Sequence, residues 1–317
     1  MREAIKNFNK QFEYEPVVKN ADKLGAYKKF IVAGMGGSHL AADILRTSGS
    51  DLDIAINNDY KLLFCAKDVL VICNSYSGNT EETISVFNEI MDREMPMAAV
   101  ATGGKLLELA RKNKIPHIQM PITGIQPRLA LGFNLRALAK IMKREDILRE
   151  TQVLAEELKP SDYESAGNDL AKRLKGRIPV IYSSIRNFAA AYNWKIKFNE
   201  TGKIPAFCNI FPELNHNEMT GFDVKDSTRN LSERFYFIFL KDKDDHPKNI
   251  KRMEITEKLY RDRNLSVEII EMSGKSRLHK IFSSLILADW ASFYTAEQYG
   301  LEAEQVPMVE EFKKLIG

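Results

Sequence analysis

Cysteine is scarce in this sequence, with three in 317 residues. Cys65, Cys73 and Cys208 are widely spaced in apolar, strand-like surroundings, which argues against a disulfide framework and for buried thiols in a reducing compartment. No apolar run approaches the ~20 residues of a membrane-spanning helix. The opening MREAIKNFNKQFEYEP has mixed charge and no apolar stretch typical of a targeting signal, so a cytoplasmic location with no membrane partner is expected. Charge of one sign is missing too. The formal net charge is +3, with acids and bases mixed along the chain, and no field favours nucleic acid. Any anion must therefore be gripped locally. Metal-ligand spacing is absent as well: His39, His117, His216, His246 and His279 are scattered, with no HExxH or CxxC. No metal or other cofactor is expected.

What the chain does have is length and alternation. At 317 residues it is about twice an ordinary domain. Short runs rich in Val, Ile and Phe each end in a polar or glycine-rich turn that opens a helical pattern, the signature of parallel sheets covered by helices. In the first half the spacing predicts strands over Lys29 to Ala33, Val69 to Cys73, Ala98 to Ala101 and His117 to Met120. Helices are expected near Leu40 to Arg46, Glu81 to Asp92 and Lys105 to Asn113, with a longer one from Arg128 to Lys143. The charged stretch Lys143 to Ser165 reads as helical, solvent-facing connector, giving domains 1–150 and 151–317. The second half repeats the plan with strands over Pro179 to Tyr182, Phe235 to Leu240 and Val267 to Glu271. A helix follows through Trp194 and Phe198, and a long amphipathic one spans Ile281 to Tyr299. Both halves show a strand, a serine-bearing turn and a helix in that order.

Two turns in the first half point to an anion. FIVAGMGGSHLAADIL sets Gly34, Gly36, Gly37 and Ser38 where a strand meets a helix, so backbone amides and the positive helix end face one spot. It has neither the GxGxxG of dinucleotide folds nor a Walker sequence, which disfavours NAD and ATP. His39 is within reach of a ligand there, but reads better as a helix-surface residue. After the strand ending at Cys73, NSYSGNTEET supplies the hydroxyls of Ser75, Ser77 and Thr80, with Gly78 for an unusual backbone angle. Such a neutral cradle suits the phosphate of a small molecule; the bland alternative is an elaborate helix N-cap.

GMGGS and NSYSGNTEET together resemble the sugar isomerase (SIS) domain, whose Ser/Thr-rich turn binds the phosphate of a phosphosugar. FNETGKIPAF around Glu200 and FPELNHNEMTGF around His216 narrow the likeness to the bifunctional phosphoglucose/phosphomannose isomerase family, across nearly the whole chain. The resemblance implies an α/β fold of two SIS domains, each a doubly wound, flavodoxin-like parallel sheet flanked by helices, with the active site between them. It also implies reversible isomerisation of glucose 6-phosphate and fructose 6-phosphate, and of mannose 6-phosphate, through a metal-free cis-enediolate. By the same likeness Ser75, Ser77 and Thr80 hold the phosphate, with Gly36, Gly37 and Ser38 near the sugar. Glu200 is the base, His216 the ring-opening group, and Arg128 of QPRLALG stands beside the reacting carbons. Lys313 of VEEFKK, or its neighbour Lys314, completes the set, and His216 is expected from the partner subunit of a homodimer.

The chemistry gives each assignment a reason. Carbonyl migration between C1 and C2 needs one base to take and return a proton, and a carboxylate partly withdrawn from water does this; a Glu at a helix end is otherwise simply solvated. Charge growing on the two oxygens needs a fixed cation, and Arg128 is planar and permanently charged. At a helix start it opposes the dipole, which itself hints at a ligand. Ring opening needs a group titrating near neutrality, and His216 lies between Asn215 and Asn217, which are placed to orient it. Against the enzyme stand a catalytically silent phosphosugar-binding regulator and an isomerase of another phosphosugar.

Overall fold

A computed structural model describes residues 1–48, 51–63 and 68–316. The chain forms two compact units, one of residues 6–158, the other of residues 159–317 together with Met1–Ile5. Each is built on one parallel sheet.

In the first unit the strands are β1 (Lys29–Ala33), β2 (Asp53–Asn57), β3 (Val69–Asn74), β4 (Met97–Ala101) and β5 (His117–Gln119), in the order β2-β1-β3-β4-β5. Every pairing is parallel. All residues of β3 and β4 are buried, as expected of central strands covered on both faces, and their sequences VLVICN and MAAVA are correspondingly near-continuous apolar runs. Phe87, Ile90, Leu106 and Leu107 from the helices Glu81–Asp92 and Gly104–Lys112 pack against one face. Each such fully buried side chain stabilises the fold by roughly 1.5–3 kcal/mol.

The second unit uses β6 (Ile178–Ser184), β7 (Phe207–Phe211), β8 (Phe235–Lys241) and β9 (Ser266–Glu271), ordered β7-β6-β8-β9 and again wholly parallel. Tyr182, Phe211, Phe237, Phe239 and Tyr260 form an aromatic core on one face. On the other lie the helices Phe188–Glu200 and Arg277–Gln298, whose contact buries an ion pair: Lys197 Nζ donates to Asp289 Oδ1 at 2.5 Å. Trp194 donates its indole N–H to Ser284 Oγ at 2.9 Å. The first residues clamp this unit, with the Arg2 guanidinium over the ring of Phe293 and donating to Tyr294 and Glu164.

The doubly wound α/β plan expected from the sequence is present, with corrections. The helix expected over Arg128 to Lys143 is a 3-10 turn, Pro127–Leu129, followed by a helix, Leu131–Ile141. The break at Ala130 is stable because Gln11, far off in sequence, accepts from the Gly132 amide at 3.0 Å and donates to the Leu129 carbonyl at 2.7 Å. The connector is not solvent-facing throughout, because Ile147, Leu148, Thr151 and Leu154 bury themselves in the first unit. The long helix Arg277–Gln298 is buried around most of its circumference rather than on one stripe. Cys73 is buried and Cys208 partly so, both free thiols, pushed up by burial to about 12 and about 11. Cys65 lies outside the described residues.

Candidate functional site

Doubly wound parallel sheets bind ligands at the carboxyl ends of their strands, where successive crossovers leave in opposite directions. That point falls between β1 and β3 in the first sheet and between β6 and β8 in the second. The two are filled differently.

At the first, β1 and β3 run level, Ala33 beside Cys73, so the turns GMGGS and NSYSGNTEET emerge side by side. A Cβ on Gly34 would come 2.6 Å from the Asn74 carbonyl oxygen, and one on Gly37 would meet the Arg128 amide nitrogen at 2.9 Å. Glycine at these positions lets three segments converge. The buried Asn74 amide donates to the Ser38 carbonyl at 2.6 Å and to Asn134 Oδ1 at 2.8 Å. Ser38 Oγ accepts from the Tyr76 amide at 2.9 Å, and Ser77 Oγ from the Asn79 amide at 3.2 Å. A hydroxyl has one proton and two lone pairs, so an oxygen that already accepts a backbone N–H has its proton to offer an outside acceptor. Ser75 Oγ accepts from the Gly78 amide at 3.0 Å and shares a hydrogen bond with Thr80 Oγ1 at 2.8 Å. Thr80 is the N-cap residue of Glu81–Asp92, yet its hydroxyl makes no capping bond. The capping alternative does not describe these side chains. Gly36, at φ 49°, would carry a Cβ into open space with nothing within 4 Å.

Arg128 sits on the turn Pro127–Leu129 with only 1% of its surface exposed. Gly36, Gly37, Ser38, Ser75, Ser77, Thr80 and Arg128 thus belong to one end of one sheet. His39 does not fit its expected place on the helix surface. It is buried, its Nδ1 2.6 Å from Asp43 Oδ2, and Arg46 donates to the other oxygen at 2.9 Å. Sequence reasoning also missed a third turn, ATGGK after β4. Thr102 Oγ1 donates to the Tyr76 carbonyl at 2.7 Å and the Lys105 amide to Asn79 Oδ1 at 3.0 Å. A Cβ on Gly78 would come 1.9 Å from the Gly103 carbonyl oxygen. The paired glycines at a strand end were the available signal.

At the second switch point the serine turn is already engaged. Ser184 Oγ donates to Asp245 Oδ1 at 2.6 Å and Asn187 Nδ2 to the same oxygen at 3.1 Å. Asp245 is buried, and desolvation pushes its carboxyl above the ordinary carboxylate value. Arg277 bonds Asn187 Oδ1 at 2.5 Å and Asp242 at 3.0 Å, while Lys280 bonds Asp242 and Asp244. The serine hydroxyl at this second switch point thus faces the protein's own carboxylate, where those of the first bond the backbone and each other.

The remaining expected residues lie in the second unit on separate elements. Glu200 ends the helix Phe188–Glu200 and is half-buried; Lys203 Nζ donates to its carbonyl at 2.6 Å and also to the Gln305 carbonyl. His216 closes the 3-10 turn Glu213–His216 and is exposed. Asn215 donates to Thr256 at 2.9 Å and Asn217 to Glu213 at 2.7 Å, so both fix the chain through partners other than the imidazole. Lys313 is exposed on the helix Pro307–Ile316, paired with Glu310 at 2.7 Å. Among the described residues no three His, Cys, Asp or Glu side chains gather into a metal-binding group, and no helix is long and apolar enough to cross a membrane. A cavity of about 340 Å³ lined by Tyr27, Lys28, Asp51 and Arg144 lies at the opposite, amino-terminal ends of β1 and β2.

Residues 164–316 match the family described as the bacterial phospho-glucose isomerase C-terminal SIS domain. The chain is 33% identical over 317 residues to a bifunctional phosphoglucose/phosphomannose isomerase from Aquifex aeolicus, covering 98% of this chain and 96% of that one. With the protein of the same description from Caldicellulosiruptor bescii it shares 34% over 309 residues, covering 91% and 89%. In structure it resembles a glucosamine-6-phosphate deaminase from Thermotoga maritima with a TM-score of 0.69 at 13% identity, over 96% of this chain and 95% of that one, a likeness of fold.

Proposed function

This chain belongs to the bifunctional phosphoglucose/phosphomannose isomerase family, and we propose that it reversibly isomerises glucose 6-phosphate and fructose 6-phosphate, with mannose 6-phosphate as a second aldose. The observation that carries this reading is the first switch point. Hydroxyls and glycine turns converge there, with the oxygens of Ser38, Ser75 and Ser77 accepting backbone N–H bonds and Gly37 against the turn that carries the buried Arg128, which supports an anion site. In it Ser75, Ser77 and Thr80 take the phosphate oxygens as acceptors of their O–H groups, while Gly36, Gly37 and Ser38 line the sugar. Arg128 faces the C1 and C2 oxygens, where negative charge grows as the enediolate forms. Its guanidinium stabilises that charge without exchanging protons.

Glu200 takes the proton from C2 of the aldose and returns it to C1, one carboxylate serving both steps on the same face of a cis-enediolate. His216, with Lys313, moves a proton between the ring oxygen and the C1 hydroxyl before enolisation. The working form is a cytoplasmic homodimer in which His216 serves the partner's site. Incubating the protein with each phosphosugar in heavy water, with and without chelator, tests this by NMR. Deuterium should enter C2 of glucose 6-phosphate, unaffected by chelator, and Glu200→Gln should slow turnover by about 10²- to 10⁴-fold. Binding without exchange would leave a silent phosphosugar-binding regulator, and a near-normal rate in Glu200→Gln would remove Glu200 from its role.

A further inference from the structure

The segment NHNE places an exposed imidazole among three residues that are all tied down. Asn215 donates to Thr256 Oγ1 at 2.9 Å and accepts from Arg252 at 3.3 Å. Asn217 donates to Glu213 at 2.7 Å and accepts from the Glu218 amide at 2.6 Å. Glu218 reaches furthest. One carboxylate oxygen accepts from the phenol of Tyr182 on β6, the other from the side-chain amide of Asn209 on β7. Tyr182 is itself fully buried, its ring 5.9 Å from that of Phe211, 5.5 Å from Phe237 and 5.4 Å from Phe239. A turn that only had to connect β7 to the rest of the unit would not need a half-buried carboxylate bonded to two strands. A turn that had to hold a side chain to within a fraction of an ångström would.

We propose that Glu218 is a positioning residue for His216: by bonding Tyr182 and Asn209 it locks the Glu213–Glu218 turn to the sheet and fixes the direction in which the imidazole is presented. The inference rests on the reading of His216 as the ring-opening group. Its test is a double-mutant cycle on turnover of glucose 6-phosphate, which is mostly ring-closed. Glu218→Ala should lower kcat by about 10- to 10²-fold, the usual result of misplacing a group by an ångström, with KM little changed. Glu218→Gln, which retains an acceptor for the Tyr182 phenol, should recover most of that loss. In a His216→Ala background Glu218→Ala should cost no more than about a factor of two, because residues acting as one unit are not additive. Wild-type kcat in Glu218→Ala, or the same fold loss with and without His216, overturns the proposal. If Glu218→Ala fails to fold, Tyr182→Phe and Glu218→Gln are carried through the same cycle. Wild-type kcat in His216→Ala instead overturns the ring-opening reading, and the proposal with it.

Discussion

Alanine at two glycines of the first switch point should produce unequal losses, because both have positive φ but differ in surroundings. Gly36 has φ 49° with ψ −126° and Gly78 has φ 75°, positive-φ conformations that an L-residue rarely adopts, so each alanine costs about 1–3 kcal/mol of backbone strain. At Gly36 that is the whole cost to folding, since nothing lies within 4 Å of the added carbon. At Gly78 the Cβ would stand 1.9 Å from the Gly103 carbonyl oxygen, where real contacts stay above 3.0 Å, so the two backbones must part by about 1.1 Å. That separation strains the bonds holding the turns together, Leu106 amide to Gly78 carbonyl at 2.9 Å and Lys105 amide to Asn79 Oδ1 at 3.0 Å. Losing both adds about 1–3 kcal/mol. With roughly 2–4 °C per kcal/mol for a unit of this size, Gly36→Ala should lower its Tm by about 2–12 °C and Gly78→Ala by about 2–12 °C more than that. Thermal unfolding followed by circular dichroism measures both. The shift at Gly78 also moves Ser77 and Asn79, so kcat/KM for the phosphosugar should fall by about 10²-fold. Equal Tm losses in the two variants, or a Gly78→Ala protein within 2 °C of wild type, would refute the reasoning.

Further expectations concern the dimer, the second sheet and pH. If His216 serves the partner's site, mixing inactive Glu200→Gln and His216→Ala proteins under exchanging conditions should restore up to about a quarter of wild-type activity, since half the dimers are hybrids with one intact site; no recovery after verified exchange places His216 in its own subunit's site. Ser75→Ala and Ser77→Ala should each raise KM for the phosphosugar, whereas Ser184→Ala should leave KM unchanged while lowering Tm; a raised KM in Ser184→Ala would mean that the second sheet also takes substrate. Asp146, held down to about 2 chiefly by its hydrogen bond from Arg144, contributes stability that is present above about pH 4 and lost as pH falls toward 2. Asp146 is largely exposed, so Asp146→Asn should cost under about 1 kcal/mol at pH 7, less in high salt and close to nothing only by about pH 1, read from urea unfolding; a cost undiminished at pH 1 would contradict the linkage.

How much of this was legible in the sequence depended on how far apart the interacting residues lie. NSYSGNTEET could be read because its glycine and hydroxyls serve one turn, and the hydrogen bonds that Ser75 makes with the Gly78 amide and the Thr80 hydroxyl stay inside it. The bracing by ATGGK, Asn134 and Gln11 could not, since Asn134 meets Asn74 60 residues away and Gln11 meets Leu129 118 residues away. The same long reach broke the helix expected from Arg128 to Lys143. The central strands announced themselves as apolar runs. Strands β2 and β7 did not, because DIAIN and FCNIF lie at sheet edges, half-exposed, and carry polar residues among the apolar ones. His39 misled for another reason: Asp43 one turn on gives its imidazole a buried partner, and no periodicity reports such a pair.

The two switch points share one architecture and differ in how their donors are satisfied. Both sheets bring a strand, a serine turn and a helix to the place where crossovers diverge, and both present hydroxyl and amide donors there. Donors converging in a crevice need an acceptor, and a buried donor without one costs about 1–3 kcal/mol. The second unit supplies that acceptor covalently, as the Asp245 carboxylate, and holds the neighbouring Asp242 with Arg277 and Lys280. In the first unit Ser38, Ser75 and Ser77 accept backbone N–H bonds, and Ser75 and Thr80 share a hydrogen bond that uses the proton of one of them, so these hydroxyls bond the backbone and each other rather than a carboxylate of the protein. On the proposed reading, a dianion entering the second site would have to displace an internal acceptor of like charge, whereas one entering the first would not. The two switch points therefore differ in whether the sequence places an aspartate there, not in sheet topology.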